Sequence, residues 1–220
     1  LNIEGTNTIS AKGITYYGIG TVDALGETDT VTGSTTWDLL AGGFEAFDIS
    51  FTRVEIANSG VAGTLNTTNS QNLFTIESNQ SVEINGITFN QVTTVNAGDD
   101  NADTVTGLSG QAWTIENEGF SGSQILFIDT EKANSQSGGS VTGTDQNDSF
   151  ETTGVANQVV LSDYTFDGIT TVNALGHSNT DSLLTNNSIN ESFIINASEQ
   201  IIGNGITFSN FEDMVGEAGD

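Results

Sequence analysis

The chain has 220 residues, 29 acidic against three basic (Lys12, Arg53 and Lys132), with no cysteine, no proline and a formal charge of -26. A surface that negative repels nucleic acid and anionic membranes, so neither is expected as a partner. Neither disulfides nor thiolate metal sites can hold the fold, and no apolar run reaches membrane-spanning length, so no membrane span is expected.

Gly, Ser, Thr, Asn and Asp clusters separate short apolar bursts, which is strand-and-turn chemistry. Two anchors recur along the chain, each a large residue with a second side chain two positions away. The first is Leu1/Ile3, Trp37/Leu39, Phe74/Ile76, Trp113/Ile115, Phe150/Thr152 and Phe193/Ile195. The second is Ile14/Tyr16, Ile49/Phe51, Ile87/Phe89, Ile125/Phe127, Tyr164/Phe166 and Ile206/Phe208. The step from first anchor to second is nearly constant, whereas the interval between successive second anchors lengthens along the chain. Six residues past each second aromatic comes Val22, Ala57, Val95, Ala133, Val172 or Met214. Two further on stands a small residue: Ala24, Ser59, Ala97, Ser135, Ala174 or Gly216.

The chain therefore reads as one repeat array over 1–220, of six modules of about 38 residues. Their bounds are 1–36, 37–73, 74–112, 113–149, 150–192 and a shortened 193–220. The modules at Trp37 and Trp113 match each other more closely than their neighbours, which adds a weaker period of about 76 residues. The start at Leu1 and the turn-like GEAGD at 216–220 read as an excerpt of something longer.

Within a module the apolar residues alternate with polar ones, as in Phe74-Thr75-Ile76 and Ile87-Thr88-Phe89, the half-buried strand pattern. A lone module cannot bury its apolar face and must stack on others. The expected fold is all-β, a repeat-built parallel β-helix (β-solenoid), with each module making two coils of roughly 19 residues. Equivalent aromatics should then line up in columns. A six-bladed β-propeller is the alternative, disfavoured by the drift in module length. The expected core comprises Trp37, Phe51, Phe74, Phe89, Trp113, Phe127, Phe150, Phe166, Phe193 and Phe208.

Three turn segments, NAGDDNADTVTG at 96–107, TGTDQNDSF at 142–150 and ITFSNFEDMVGEAGD at 206–220, resemble the repeat regions of giant bacterial adhesins and RTX-type calcium-binding proteins. The strand segments also resemble filamentous-haemagglutinin-like shafts. The RTX likeness implies Ca²⁺ held weakly by oxygen ligands at Asp99, Asp100, Asn101 and Asp103, and at Asp145, Asn147 and Asp148. The second glycine of the RTX turn is missing there, so a regular RTX roll is not expected. The competing reading of the same side chains is turn capping and polar ladders along the stack.

Catalysis finds little support. A hydrolytic triad needs a histidine, and the chain has only His177, in the turn GHSNTD. Paired carboxylates for polysaccharide cleavage are plentiful, but the cations that would help grip a sugar are scattered singly. The expectation is a non-catalytic, extracellular segment at the bacterial cell surface, the shaft or spacer of a large adhesin or self-assembling fibre. Its partners would be other copies or flanking repeats, with a surface or glycan target. The alternatives are a Ca²⁺-dependent surface or carbohydrate-binding module and a β-helix polysaccharide-active enzyme.

Overall fold

The computed structural model describes residues 1–68, 70–99, 102–175, 180–185, 193–195 and 200–215. The described residues hold strands and turns with no helix. The parallel pairing between modules makes the chain a β-solenoid of about six turns and sets aside the propeller. It folds as two compact bodies, one of residues 1–103 with 123–130, the other of 104–122 with 131–220.

Each module opens with an antiparallel meander. In the third, Leu73–Ser78, Ser81–Ile84 and Ile87–Asn96 pair in turn, with Ile76 against Val82 and Val82 against Phe89. The hairpin before Phe89 turns at Asn85-Gly86, both at positive φ (53° and 78°), as two-residue hairpins require. Between modules the pairing is parallel. In the first body Val31 partners Ala57 and Ala57 partners Phe89, while Trp37, Leu65, Val95 and Phe127 form a second run. In the second body the runs are Val105-Ala133-Phe166, Trp113-Val141-Val172-Phe208 and Phe150-Leu183-Met214.

Two expectations need correction here. Ladder partners such as Val31 and Ala57, or Val172 and Phe208, stand much farther apart in sequence than half a module. One module therefore makes about one turn and not two coils. The columns also do not align equivalent residues. A column starts on a first anchor, such as Trp37, passes through two aliphatic side chains, and ends on a second anchor, Phe127, two modules later. The physical reason is volume: aromatic residues on every rung would overfill a column, whereas Leu65 and Val95 leave room between rings.

The long strands run through both faces of a body. In Ile56–Asn66 the first residues, around Ala57, join one face and the last, around Leu65, join the other. Successive modules therefore lay their meanders on alternate faces, as the strands around Trp37 and Phe74 do in the first body. That alternation is the physical origin of the longer, two-module period.

The two faces meet through rings. In the first body Phe44 lies 5.3 Å from Trp37, 5.2 Å from Phe51 and 5.5 Å from Phe89, measured between centroids. In the second, Phe120 lies 5.6 Å from Trp113, 5.5 Å from Tyr164 and 5.3 Å from Phe166. Phe44 and Phe51 stack, the other pairs meet edge-on, and both arrangements add to the stabilisation from burial alone. Of the ten expected core aromatics nine are buried. Phe193 is only half-buried; its strand Phe193–Ile195 pairs with Ile201–Gly203, and Ile194 and Ile195 beside it are exposed.

Candidate functional site

The turn acids divide by burial. Asp103 and Asp148 are buried, whereas Asp99, Asp145 and Asn147 are exposed. Asp100 and Asn101 lie outside the described residues, as do His177 and Gly216. Buried carboxylates need partners, and the structure supplies backbone donors from a neighbouring rung. Asp103 Oδ1 accepts the Asn72 N–H at 2.6 Å and the Asn72 side-chain amide at 3.0 Å. Asp181 Oδ1 accepts the Asp148 N–H at 2.8 Å, and Glu212 Oε2 accepts the Asp181 N–H at 2.8 Å. In the first body Glu55 Oε2 accepts the Asp29 N–H at 2.8 Å.

These acids sit two residues before a ladder side chain: Asp29 before Val31, Glu55 before Ala57, Asp148 before Phe150, Asp181 before Leu183, Glu212 before Met214. They tie the entry of one strand to the entry of the next. Asp29, Glu55, Asp181 and Glu212 escaped the sequence reading. Their signal was present, an acid recurring at a fixed offset from the apolar column, but it was obscured by the many exposed acids around it.

Asp148 sits among groups that act on its charge in opposite directions. Burial pushes its carboxyl above the usual range, against the pull of the Thr144 backbone and hydroxyl donors, and nearby Asp181 adds to the rise. Thr144 N–H and Oγ1–H donate to it at 2.6 and 3.0 Å. The buried Asp103 and Asp148 thus spend oxygens on capping and laddering. Among the described residues no group of three or more His, Cys, Asp or Glu side chains is placed to hold a metal ion.

Outward-facing polar side chains form rungs too. Asn90 donates to Asn58 at 2.9 Å, Asn66 to Asp38 at 2.8 Å, and Asn210 to Asn173 at 2.6 Å. Two basic residues pair with acids across rungs: Arg53 with Asp23, and Lys132 with Asp167 at 2.7 Å. The Arg53 guanidinium holds the exposed Asp23 carboxyl below its ordinary range.

Trp37 and Trp113 are fully buried, so they are core and not sugar platforms. Each indole N–H donates to the hydroxyl of a serine later in its own module, Trp37 to Ser59 at 2.8 Å and Trp113 to Ser135 at 2.6 Å. Gly63 and Gly139 lie against those serines, and a Cβ at either would overlap the hydroxyl. At Ser59 and Ser135 the small residue of the module is thus a serine packed against a glycine, where an indole needs an acceptor.

A cleft of about 510 Å³ in the second body is lined by Asn134, Gln136, Asn157, Asp167 and Thr170 among others, a volume within the range of small-ligand pockets. Its polar groups are engaged with the protein itself: Asn157 donates to the carbonyls of Ile169 and Gly205, and Gln136 to that of Gly107. Asp167 accepts from Gln158 and pairs with Lys132. Comparison with protein-family models, with curated proteins and with solved structures finds no match.

Proposed function

We propose that the chain is a non-catalytic structural repeat, the shaft or spacer of a large extracellular bacterial adhesin or surface fibre. The observation that carries this reading is the interlocking of modules. The columns cross module boundaries, and Trp37, Leu65, Val95 and Phe127 in the first body come from three consecutive modules. Such an array gains stability from neighbours and extends by adding modules, which suits mechanical reach. Self-satisfied carboxylates and amides support it further, since a catalytic site keeps such groups available for substrate. The charge of -26 would keep a long β-structure soluble in the medium outside the cell.

Electron microscopy of the longer parent protein tests the proposal. A continuous rod spanning these repeats is expected, and isolated globules would overturn it. A thermal melt with and without millimolar Ca²⁺ separates it from a Ca²⁺-dependent binding module, which should melt higher with the ion. Release of sugar fragments from any of a panel of polysaccharides would point to the enzyme reading instead.

A further inference from the structure

Asn-Gly occurs twice in the chain, each time within the same pentapeptide Asn-Gly-Ile-Thr-Phe, at 85–89 and at 204–208. Both copies turn the hairpin that leads into a second anchor, Asn85 and Gly86 with φ of 53° and 78°, Asn204 and Gly205 with 54° and 80°. Local sequence and backbone are therefore matched, and what differs is what touches each turn. Meander turns pair between modules two by two. The first turn of one module donates to the second turn of the next: Asn7 N–H to Phe47 O at 3.1 Å, Gln80 N–H to Ser123 O at 2.9 Å, and Asn157 N–H to Asn204 O at 2.9 Å. Asn204 belongs to a clasped module, and Asn85 belongs to the alternate kind.

Asn157 holds its turn at several points. Its side-chain amide also donates to Gly205 O at 2.9 Å, and the Asn204 amide donates to Val155 O at 3.2 Å. Asn204 is half-buried, whereas Asn85 and Gly86 are exposed. Beyond the strand ladder, the contact of the Asn85 turn among the described residues is the Gly86 N–H donating to Glu83 Oε1 at 3.1 Å, itself at the surface. Beside this turn lies an open cleft of about 220 Å³, lined by Gly42, Arg53 and Glu55 among others. The turn can open there without breaking a bond to a neighbouring module, and such local opening costs little.

We infer that Asn85 is a site of spontaneous deamidation in the folded protein, and that the Asn157 clasp protects Asn204 from the same reaction. When the turn opens, the Gly86 nitrogen attacks the Asn85 side-chain carbonyl carbon. The Gly86 N–H proton is taken up by solvent, the bond to the side-chain amide nitrogen breaks, and ammonia leaves a cyclic imide behind. Water then opens the imide at either carbonyl, giving aspartate or isoaspartate, each with one more negative charge than before. Glycine after the asparagine favours the attack, since it has no Cβ to hinder the approach. Isoaspartate also carries the main chain through the side-chain methylene. That lengthens a two-residue turn which sets the pairing of Val82 with Phe89. The inference stands apart from the structural-repeat reading and holds whatever the repeat is for.

The test follows both asparagines within one molecule. The full chain is held at mildly alkaline pH, native and in guanidinium chloride. Chymotryptic peptides around positions 85 and 204 are then quantified by mass spectrometry with isoaspartate detection. In denaturant the two sites should convert at similar rates, because the pentapeptide is shared. In the native protein Asn85 should convert several-fold faster than Asn204. Asn157→Ala should bring Asn204 up towards Asn85 and leave the rate at Asn85 as it was. Melting curves establish that the variant folds, and Asn157→Asp, which keeps the shape and loses the side-chain donors, replaces it if alanine lowers the melt. Native rates that are equal, or faster at Asn204, would overturn the inference. So would a folded Asn157 variant in which Asn204 stays protected.

Discussion

The modules beginning at Trp37 and Trp113 and those beginning at Phe74 and Phe150 share one backbone plan and fill it differently. The tryptophan modules put Phe44 and Phe120 in the middle strand of the meander, where the other two put Val82 and Val159, all four fully buried. They also place Ser59 and Ser135 at the small-residue position, where the others have Ala97 and Ala174. These choices go together. A ring cluster built on an indole has one N–H to satisfy, and the serine hydroxyl satisfies it. A phenylalanine makes no such demand, so alanine suffices. The difference teaches that identity at the small-residue position is set by a side chain far off in the sequence and not by local propensity.

The largest blow to that contrast should come from removing the central ring. Phe44→Ala should cost about 3–5 kcal/mol, read from urea unfolding, because the cavity opens among Trp37, Phe51 and Phe89. A loss below about 1 kcal/mol would mean that the site collapses and the ring is not central. Next comes the indole partner. Ser135→Ala should cost about 1–3 kcal/mol by leaving a buried donor unmet. The same serine change made on a Trp113→Phe background should cost much less. Additive costs in that double-mutant cycle would break the pairing argument.

A smaller effect should appear with pH. The Asp148 carboxyl lies above its ordinary range, so the stability linked to it is complete below the unfolded-state value and is lost as pH climbs through the raised one. Asp148→Asn should therefore gain on the wild type as pH rises from about 4 to about 7, by the difference in denaturation midpoints. A difference independent of pH would remove burial as the cause. The smallest expected change is a gain. The hairpin before Phe127 turns at Ser123-Gln124 with φ of 50° and 63°, where the Phe74 module uses Asn85-Gly86. Exchanging exposed Gln124→Gly should stabilise by up to about 1 kcal/mol in thermal melts, since glycine enters that conformation without strain.

The aromatic spacing made the modules legible before any coordinates. Phe74, Phe89, Phe150 and Phe166 announce an alternating strand pattern, and their recurrence announces stacking. The rungs were not legible, because ladder partners are unlike one another. Trp37 lies beside Leu65 and Phe89 beside Ala57, at sequence separations that vary, so self-similarity searches slide past them. Phe44 and Phe120 also escaped notice, since they stand between the anchors and have aliphatic counterparts in Ile9, Val82, Val159 and Ile201. Of the turn acids, burial and not composition separates Asp103 and Asp148 from Asp99 and Asp145.

The alternation of meanders between faces imposes a parity rule on changes in length. Excising one module would bring a tryptophan-type meander to the face that had held a phenylalanine type, with every later column mismatched. Excising two would restore each ring to a compatible neighbour. Deletions and duplications tolerated by this architecture should therefore come in even numbers of modules.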